Sequence, residues 1–491
     1  MTQAAQAAPD PDGAAPAGPP RASRESLWRH RDFMLLWTGQ SISEIGSAVT
    51  IVALPLAAVV LLNASTFQVG LLSAATTVCF LLVALPAGLI VDRVAKRRLM
   101  IVCDAARMLI IGSVAVAAAF GALTMAQLFA VGFLAGLATV FFDVAYQSYV
   151  PSLVNRGQLH DANGKLGATQ AFSEVAGPGL GGALFGLLKA GAMAADAISY
   201  AVSTLTLLLI RAREPGSREP RAPAGPATGF SGLRTELFAG LSFVFGHKIL
   251  RKIAACTGTA NLFGSMSGAL QIIFLVRVLG VPPAGTGLLI SVGSLGGILG
   301  GVLSGRLSRW IGTARIIWFS VGVFGVIPIV IPLTEPGPRL VLFPIGIAGL
   351  SFTVVLYNIA QLSYRQLVCP PHLLGRMNAA MRWVVWGTLP LGGLLGGVFG
   401  SLLGVRTTIW IAVVGSWAAA LWVFFSPLRK MRDIPAEAMP GAREAPDGAP
   451  PPSSAAADAE QRQHDEHDRR DGEHAVPDDD RDRKVPLRRD G

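Results

Sequence analysis

Charged residues are scarce in this chain: they make up 15% of its 491 residues, whereas a soluble domain typically carries about 25%. Cysteine is also rare, with four residues that lie in or beside apolar stretches, Cys79, Cys103, Cys256 and Cys369. They are interpreted as small apolar side chains and not as a disulfide framework. The composition therefore excludes an ordinary soluble domain and a disulfide-stabilised secreted one.

The sequence also lacks the short motifs of common enzyme classes. It contains no G-x-x-x-x-G-K-[ST] loop, so no nucleotide-driven motor is expected in this chain. Neither a G-x-S-x-G nucleophile elbow nor an H-E-x-x-H zinc motif occurs. We therefore expect no enzyme, no cofactor and no metal site. A membrane-embedded enzyme remains a weaker alternative, since Asp104, Arg107 and Asp143 form one polar group near a membrane face.

Long apolar runs are what the sequence has in abundance. A helix needs about 20 apolar residues to cross ~30 Å of hydrocarbon, and twelve runs approach or exceed that length: 34–62, 70–91, 99–120, 128–142, 168–188, 194–210, 253–276, 285–303, 316–333, 340–362, 379–403 and 407–425. They predict an all-α membrane protein of about twelve transmembrane helices, numbered here as spans 1 to 12.

Lys and Arg are concentrated in alternate loops. They precede span 1, separate spans 2 and 3, occupy the central connection, separate spans 8 and 9, and follow span 12. Loops 63–67 and 121–125 contain none. Because cytoplasmic loops carry the excess of positive charge, we expect a multi-pass protein of the cytoplasmic (inner) membrane with both termini in the cytoplasm. The net charge of +10 lies in these loops and does not indicate nucleic-acid binding.

Composition divides the chain into five segments. They are a disordered cytoplasmic segment 1–31, a six-helix bundle 32–210, a cytoplasmic linker 211–252, a second six-helix bundle 253–428 and a disordered charged cytoplasmic tail 429–491. The first part of the linker is rich in Pro, Gly and Arg, as flexible linkers are. Its second part places Leu233, Leu237, Leu241 and Val244 at helical spacing, which predicts an interfacial helix.

The two bundles repeat part of their sequence. An offset of 215 residues aligns Tyr149 with Tyr364. The same offset aligns Asn163 with Asn378. Parallel repeats of this kind occur in transporters whose pathway lies between the two halves near the membrane midplane. We therefore expect two pseudo-symmetric six-helix halves.

A motif follows span 2. Its residues are Gly88, Asp92, Arg93, Lys96, Arg97 and Arg98. It resembles the loop 2–3 signature G-x-x-x-D-R-x-x-R-R of the major facilitator superfamily, and over about residues 29–428 the chain is similar to the bacterial drug and metabolite exporters of that superfamily, which are proton antiporter-like. The resemblance implies a cytoplasmic gate, in which Gly88 permits close contact with the other half and Asp92 faces the positive N-terminus of span 11.

Span 5 carries a second motif. Its residues are Gly164, Ser173, Gly177, Pro178, Gly181 and Gly182. They are similar to the superfamily's antiporter signature, with Ser173 in place of one glycine, and the resemblance implies export by drug/proton antiport. A kink is expected at Pro178, which removes a helix hydrogen bond. Span 4 contains no arginine, although many antiporters of the superfamily carry one there, so the resemblance leaves the coupling ion open.

Ionisable groups inside spans are costly and are therefore candidates for function. Glu44 in span 1 and Glu174 in span 5 should lie near the midplane, where a carboxyl group can exchange a proton for substrate. Arg382 in span 11 pairs with one of them, binds an anionic substrate, or extends its side chain to the cytoplasmic surface. Asn261 and Gln271 are candidate polar groups of the same pathway.

Asp104, Arg107 and Asp143 are expected near the cytoplasmic ends of spans 3 and 4, as an ion network beside the gate. The complete prediction is a monomeric secondary active transporter in the lipid bilayer, driven by the proton gradient. It would export a drug, antibiotic, siderophore or similar small molecule by alternating access. A facilitator or importer of a small metabolite is the alternative, and the direction of transport distinguishes the two.

Overall fold

The computed structural model describes residues 27–91, 93–212, 230–370 and 373–433. The regular elements in these ranges are helical. Asp92, most of the predicted flexible linker and the charged tail beyond Asp433 lie outside the described residues.

The N-terminal half contains six helices, and a seventh lies in the linker. They are α1 (Arg31–Leu56, extended by a π-helical turn, Ala57–Leu61), α2 (Thr66–Val91), α3 (Lys96–Ala119), α4 (Met125–Leu153), α5 (Leu159–Leu188), α6 (Ala192–Leu209) and the linker helix α7 (Phe230–Gly246).

The C-terminal half follows the same order. Its elements are α8 (Leu250–Ile273, extended by a π-helical turn, Phe274–Val278), α9 (Pro283–Ile311), α10 (Arg315–Gly322, extended by a 3-10 segment, Phe324–Leu333), α11 (Leu342–Val368), α12 (Leu374–Leu402), α13 (Val405–Ala418) and α14 (Ala420–Phe424). In the described part of the chain, 11 helical stretches are long and apolar enough to cross a membrane, and one of them, Leu159–Leu209, contains both α5 and α6. The predicted all-α membrane architecture of about twelve spans is confirmed.

Several helices are longer than the apolar runs that predicted them. Span 4 was predicted at 128–142, whereas α4 continues to Leu153. The helix continues through polar residues because their side chains can form hydrogen bonds within it. The Ser148 hydroxyl, for example, donates to the Val144 carbonyl at 3.0 Å. Hydropathy therefore marks only the apolar part of such a helix.

The ordered chain begins before the predicted end of the N-terminal disordered segment. Leu27 starts a 3-10 turn and is only 1% exposed, because it packs in an apolar cluster with Phe33 and Leu36. The His30 Nδ1 atom then accepts the Phe33 N–H at 3.1 Å and caps α1. The prediction of a disordered segment 1–31 is therefore wrong for residues 27–31.

The predicted linker helix exists as α7. At Gly240 it passes so close to the Arg376 carbonyl of α12 that a Cβ on Gly240 would overlap it. The linker helix is therefore packed onto the C-terminal half.

The internal repeat is visible in helix geometry. Both α1 and α8 end in a π-helical turn, and the two turns are 217 positions apart. Tyr149 and Tyr364, which the sequence aligns, are each 1% exposed.

The loops define two ends of the helical bundle. At the basic end, where α2 meets α3 and α9 meets α10, Arg97 Nε donates to the Leu207 carbonyl at 2.8 Å. At the same end the Asp32 carboxylate accepts the Ala212 N–H at 2.8 Å. The opposite end, where α1 meets α2 and α8 meets α9, is called the far end.

Candidate functional site between the two halves

Two helices from different halves, α2 and α12, are in direct contact at the far end. A Cβ added to Gly397 would lie 3.0 Å from the Gly70 Cα, so only glycine permits this approach. Nearer the middle, the Phe80 and Trp386 rings stack with centroids 4.1 Å apart.

A second inter-half contact joins α5 to α9. A Cβ on Gly182 would lie 2.8 Å from the Gly287 Cα. Beside it, the Gly179 N–H donates to the Ser291 hydroxyl at 2.7 Å across the interface. The last glycine of the predicted span 5 motif therefore packs against the opposite half.

The other glycines of this motif have different neighbours. Gly177 packs against Ala48, and a Cβ on Gly181 would lie 2.8 Å from the Val49 carbonyl, so both contact α1 in their own half. Ser173 is 2% exposed, and its Oγ has no hydrogen-bond partner among the described residues. A Cβ on Gly164 would have no described atom within 4 Å.

A third contact closes the far end. Arg277, in the π-helical turn after α8, donates to the Val59 carbonyl in the matching turn after α1 at 3.2 Å. The structure shows that it joins the two halves.

The close glycine contacts between the halves lie toward the far end. At the basic end, a Cβ added at Gly88 would have no described atom within 4 Å. The predicted contact of Gly88 with the other half is therefore not among the described contacts and stays a prediction.

The basic residues of the loop 2–3 motif lie on the N-terminal half. Arg97 donates to the Leu207 and Leu208 carbonyls in the last turn of α6, both at 2.8 Å. A cation at the C-terminus of a helix stabilises the helix through its dipole. Arg93 and Arg98 are exposed, and Lys96 begins α3. Asp92, the predicted latch, lies outside the described residues.

A buried cation lies inside the N-terminal half. Arg107 of α3 is 4% exposed and forms an ion pair with Asp104, which is 0% exposed. Its guanidinium lies between the Phe142 ring of α4, at 4.3 Å, and the Tyr200 ring of α6, at 4.4 Å. Such cation–π contacts are strongest when they are desolvated.

Hydrogen bonds extend this group to α1. Ser203 of α6 donates to Asp104 Oδ2 at 2.6 Å, and the Tyr200 and Ser47 hydroxyls are 2.8 Å apart. We call Ser47, Asp104, Arg107, Phe142, Tyr200 and Ser203 the Arg107 cluster. It joins α1, α3, α4 and α6.

The position of this cluster corrects one expectation. Arg107 was expected near the end of its helix, but it is 11 residues from Lys96 and 12 from Ala119, at the middle of α3. The helix begins earlier than the apolar run, so Asp104 and Arg107 lie deeper than hydropathy indicated. Asp143 is likewise 10 residues before the end of α4.

Three carboxylates lie within electrostatic range of Arg107 or of one another. Glu44 is half-buried, accepts a hydrogen bond from Gln40 at 2.8 Å, and interacts electrostatically with both Arg107 and Glu174. Glu174 is exposed on α5 and accepts from Gln170 at 3.1 Å. The structure thus brings together the two glutamates that the sequence singled out.

Asp143 links this group to the other half. It is half-buried on α4 and interacts electrostatically with Arg107, with Glu44 and with Arg382 of α12. Carboxylates that lie near cations inside a membrane protein can take up and release protons or bind a cationic substrate.

Asn261 and Gln271 are not part of this group. Asn261 is half-buried at the middle of α8, and Gln271 lies in its last turn at the closed far end. Neither side chain forms a hydrogen bond with the described residues. Their predicted role in the pathway stays a prediction.

Sequence reasoning missed two buried ionisable residues. Arg365 of α11 is 6% exposed and donates to Gln361 at 3.2 Å and to Asn378 at 2.6 Å, with no carboxylate ion pair in the described part of the chain. Asp196 of α6 is 0% exposed and accepts from Ser199. Arg365 lies three residues beyond the end of predicted span 10 (340–362), where it looked like a loop residue, and extending that helix by one turn would have made it a candidate. Asp196 is the third residue of predicted span 6 (194–210) and could have been chosen as an ionisable group inside a span.

Curated relatives are similar to most of this chain. A multidrug efflux pump, Tap, from Mycolicibacterium fortuitum is 27% identical over 374 residues, covering 74% of this chain and 88% of that protein. Macrolide efflux protein A from Streptococcus pyogenes is 24% identical over 412 residues, covering 82% of this chain and 97% of that protein.

Solved structures share the fold. The nucleoside transporter NupG superposes with a TM-score of 0.65 at 12% identity, covering 80% of this chain and 98% of that one. A bacterial homologue of the iron transporter ferroportin, in an inward-facing state, superposes with a TM-score of 0.64 at 15% identity, covering 82% and 99%.

The sequence profile of the Major Facilitator Superfamily matches residues 36–390, which is more than half of the chain. This match agrees with the loop 2–3 motif, the helical repeat and the two six-helix halves. The chain belongs to the major facilitator superfamily.

Proposed function

We propose that this protein exports a drug-like small molecule across the cytoplasmic membrane by alternating access, in exchange for protons. One observation carries the proposal: the halves are packed together at the far end, and carboxylates of α1 and α4 inside the N-terminal half lie within electrostatic range of cations. With the far end closed, substrate would enter from the basic end.

The orientation follows from loop charge. The basic end carries the Lys- and Arg-rich loops, and such loops remain in the cytoplasm. An opening at that end would admit substrate from the cytoplasm, as export requires. The names of the two curated relatives, a multidrug efflux pump and a macrolide efflux protein, support the same direction and a drug-like substrate.

The coupling group is proposed to be the carboxylate set around Arg107. Arg107 comes from α3, but its guanidinium stacks on Phe142 of α4, next to Asp143. It thereby supplies the cation that span 4 itself lacks. Protonation of Glu44 or Asp143 would weaken the interaction with Arg107 and Arg382, and so alter the balance between the open and closed arrangements. All these groups belong to one chain, so a monomer is sufficient.

The test is drug susceptibility in a pump-deficient bacterial host. Wild-type protein should lower susceptibility to at least one compound in a panel of antibiotics, dyes and siderophores. Glu44→Gln and Glu174→Gln should each lose that protection at unchanged membrane abundance. Glu335→Gln is the matched control, because the Glu335 side chain lies in an exposed loop and its ion-pair partner among the described residues is Arg339. Full protection by the double Gln variant would refute the assignment of these carboxylates.

A further inference from the structure

An aspartate that is not among the proposed coupling groups is buried in α6. Asp196 is 0% exposed. Its two carboxyl oxygens are bound by hydroxyl groups: the Thr50 hydroxyl of α1 contacts Oδ2, and the Ser199 hydroxyl donates to Oδ1 at 3.1 Å. No Lys, Arg or His side chain lies within ion-pair distance of Asp196 in the part of the chain that the structure describes. An ionisable group held in a membrane span by hydroxyl groups is a candidate for function.

The backbone of α1 covers this carboxyl group. A Cβ added at Gly46 of α1 would overlap the Ser199 hydroxyl and would lie 2.6 Å from Asp196 Oδ1. Glycine at this position therefore lets α1 and α6 approach each other closely, and the approach leaves Asp196 without contact to solvent.

The surroundings of Asp196 supply one buried cation, which already has a partner. Helix α6 packs against α1, α3, α5 and the turn 189–191. From α3, Asp104 and Arg107 interact electrostatically with Asp196, but these two residues form an ion pair with each other. Away from the basic end, the other charged residues of these elements are half-buried or exposed, and they are Glu44 of α1, Glu174 of α5 and Lys189 of the turn.

The balance of buried charge favours a neutral Asp196. An isolated ionised carboxylate in an apolar interior is so costly that the group takes up a proton instead. With Asp104 and Arg107 both ionised, a protonated Asp196 leaves this interior without net charge. The acid form also keeps both hydrogen bonds, because a carboxylic acid can donate to the Thr50 hydroxyl while its carbonyl oxygen accepts from Ser199.

The position of Asp196 places it between the far end and the Arg107 cluster. Because α6 ends at the basic end, its first residue, Ala192, lies at the far end, and Asp196 follows four residues later, or ~6 Å along the helix. The next residues on this side of α6 are buried hydroxyl-bearing side chains, Ser199, Tyr200 and Ser203. The last of them donates to Asp104. A row of buried polar side chains therefore leads from Asp196 to the Arg107 cluster.

We propose that Asp196 is protonated in this conformation and is the outer proton-binding site of the exchange. When the far end opens, the Asp196 carboxylate takes up a proton from the outside medium. When that end closes, the proton is held on Asp196, from which the α6 hydroxyl groups lead toward Asp104. The role in exchange rests on the proposed function, whereas the protonation of Asp196 while the far end is closed does not.

Infrared spectroscopy of the full-length protein in detergent at neutral pH tests the protonation without a substrate. A protonated carboxyl group has a C=O stretching band at higher frequency than the amide bands, and this band moves to lower frequency in heavy water. Asp196→Asn should remove one such band. Asp161→Asn is the control and should remove none, since Asp161 is exposed in the first turn of α5. If Asp196→Asn removes no protonated-carboxyl band, the proposal is overturned.

Two further variants assign the band while leaving the carboxyl group in place. Ser199→Ala and Thr50→Val each remove one hydroxyl partner of Asp196. The C=O band should move to higher frequency in the variant that loses the hydrogen bond to the carbonyl oxygen. A band that moves in neither variant belongs to another carboxyl group and overturns the assignment.

The role in exchange is measured separately, with the compound against which the wild-type protein protects a pump-deficient host. In reconstituted vesicles, Asp196→Asn should still exchange labelled for unlabelled compound but should lose accumulation driven by a proton gradient. Equal gradient-driven accumulation by the wild-type protein and Asp196→Asn would overturn the outer-site role. If the wild-type protein itself shows no gradient-driven accumulation, the proposed function fails, and the infrared spectra still decide whether Asp196 binds a proton.

Discussion

At the scale of single residues, the most unusual feature is a cation enclosed in an apolar bundle. Arg107 is surrounded by the Phe142 and Tyr200 rings and is neutralised by Asp104. A buried ion pair contributes little net stability when intact, but removal of one partner leaves the other charge uncompensated. Stability should therefore respond differently to single and paired substitutions.

Arg107→Met should lower the free energy of unfolding by about 3–5 kcal/mol, because Asp104 would be left buried without its partner. The double variant with Asp104→Asn should recover most of that loss. Thermal unfolding in detergent, followed by tryptophan fluorescence, measures both. Arg98→Met is the control, since Arg98 is exposed. A double variant no more stable than Arg107→Met would show that the ion pair is not what Arg107 provides.

At the scale of elements, α5 uses its glycines on two faces. Gly177 and Gly181 pack against α1 of the same half, whereas Gly182 packs against α9 of the other half. The first pair holds the N-terminal bundle together, and Gly182 belongs to the seal between the halves. Substitutions on the two faces should fail in different ways.

Gly182→Val should separate α5 from α9 at the far end and produce leak, because the two backbones could no longer approach. Gly181→Val should instead lower thermal stability of the N-terminal half. Gly164→Val is the matched control on the same helix, where a side chain meets no described atom. Passive flux of a small solute from proteoliposomes distinguishes the variants. Equal flux in Gly182→Val and Gly164→Val would contradict the proposed seal.

The junction of α7 and α8 depends on an uncharged histidine. His247 Nδ1 accepts the N–H groups of Ile249, at 3.3 Å, and Leu250, at 3.2 Å. Burial lowers the pKa of His247 below its ordinary value, which is about 6.5. The folded protein then binds fewer protons than the unfolded chain at this group. The stability that neutral His247 contributes is therefore fully present above about pH 6.5. It is lost as the pH falls from there through the lowered pKa of the folded state.

Hydrogen exchange of the peptide containing Ile249 and Leu250 should therefore become faster, beyond the intrinsic pH effect, between about pH 7.5 and 5.5. His247→Asn keeps an acceptor that does not titrate and should remove this pH dependence. His247→Ala should exchange rapidly at both values. A pH dependence that persists in His247→Asn would assign it to another group.

At the scale of the whole molecule, the repeat and the apolar runs were sufficient to predict the twelve-span, two-half architecture. They could not predict the Arg107 cluster, because stacking of an α3 guanidinium between α4 and α6 depends on how the helices pack. Arg365 was missed because hydropathy ends a span where polar side chains begin, whereas Asp196 was overlooked at the start of its predicted span. The functional roles of Glu44, Glu174 and the loop 2–3 motif stay predictions.

The two halves are chemically unequal although their helices correspond. The N-terminal half has a charged interior that faces Asp143 and Glu44, and the C-terminal half has a pocket lined by uncharged side chains. We infer that proton exchange belongs to the first half. This division agrees with alternating access, in which one half changes its charge and the contacts between the halves shift in response.

Transport by everted membrane vesicles is the measurement that decides whether this protein exports in exchange for protons. Respiration acidifies the interior of such vesicles, and the basic end of the protein would face the medium. We expect the compound identified by susceptibility to accumulate inside, protons to leave as it enters, and an uncoupler or Glu44→Gln to abolish both. Protein-dependent accumulation inside right-side-out cells, or uptake into everted vesicles that is indifferent to the proton gradient, would contradict it.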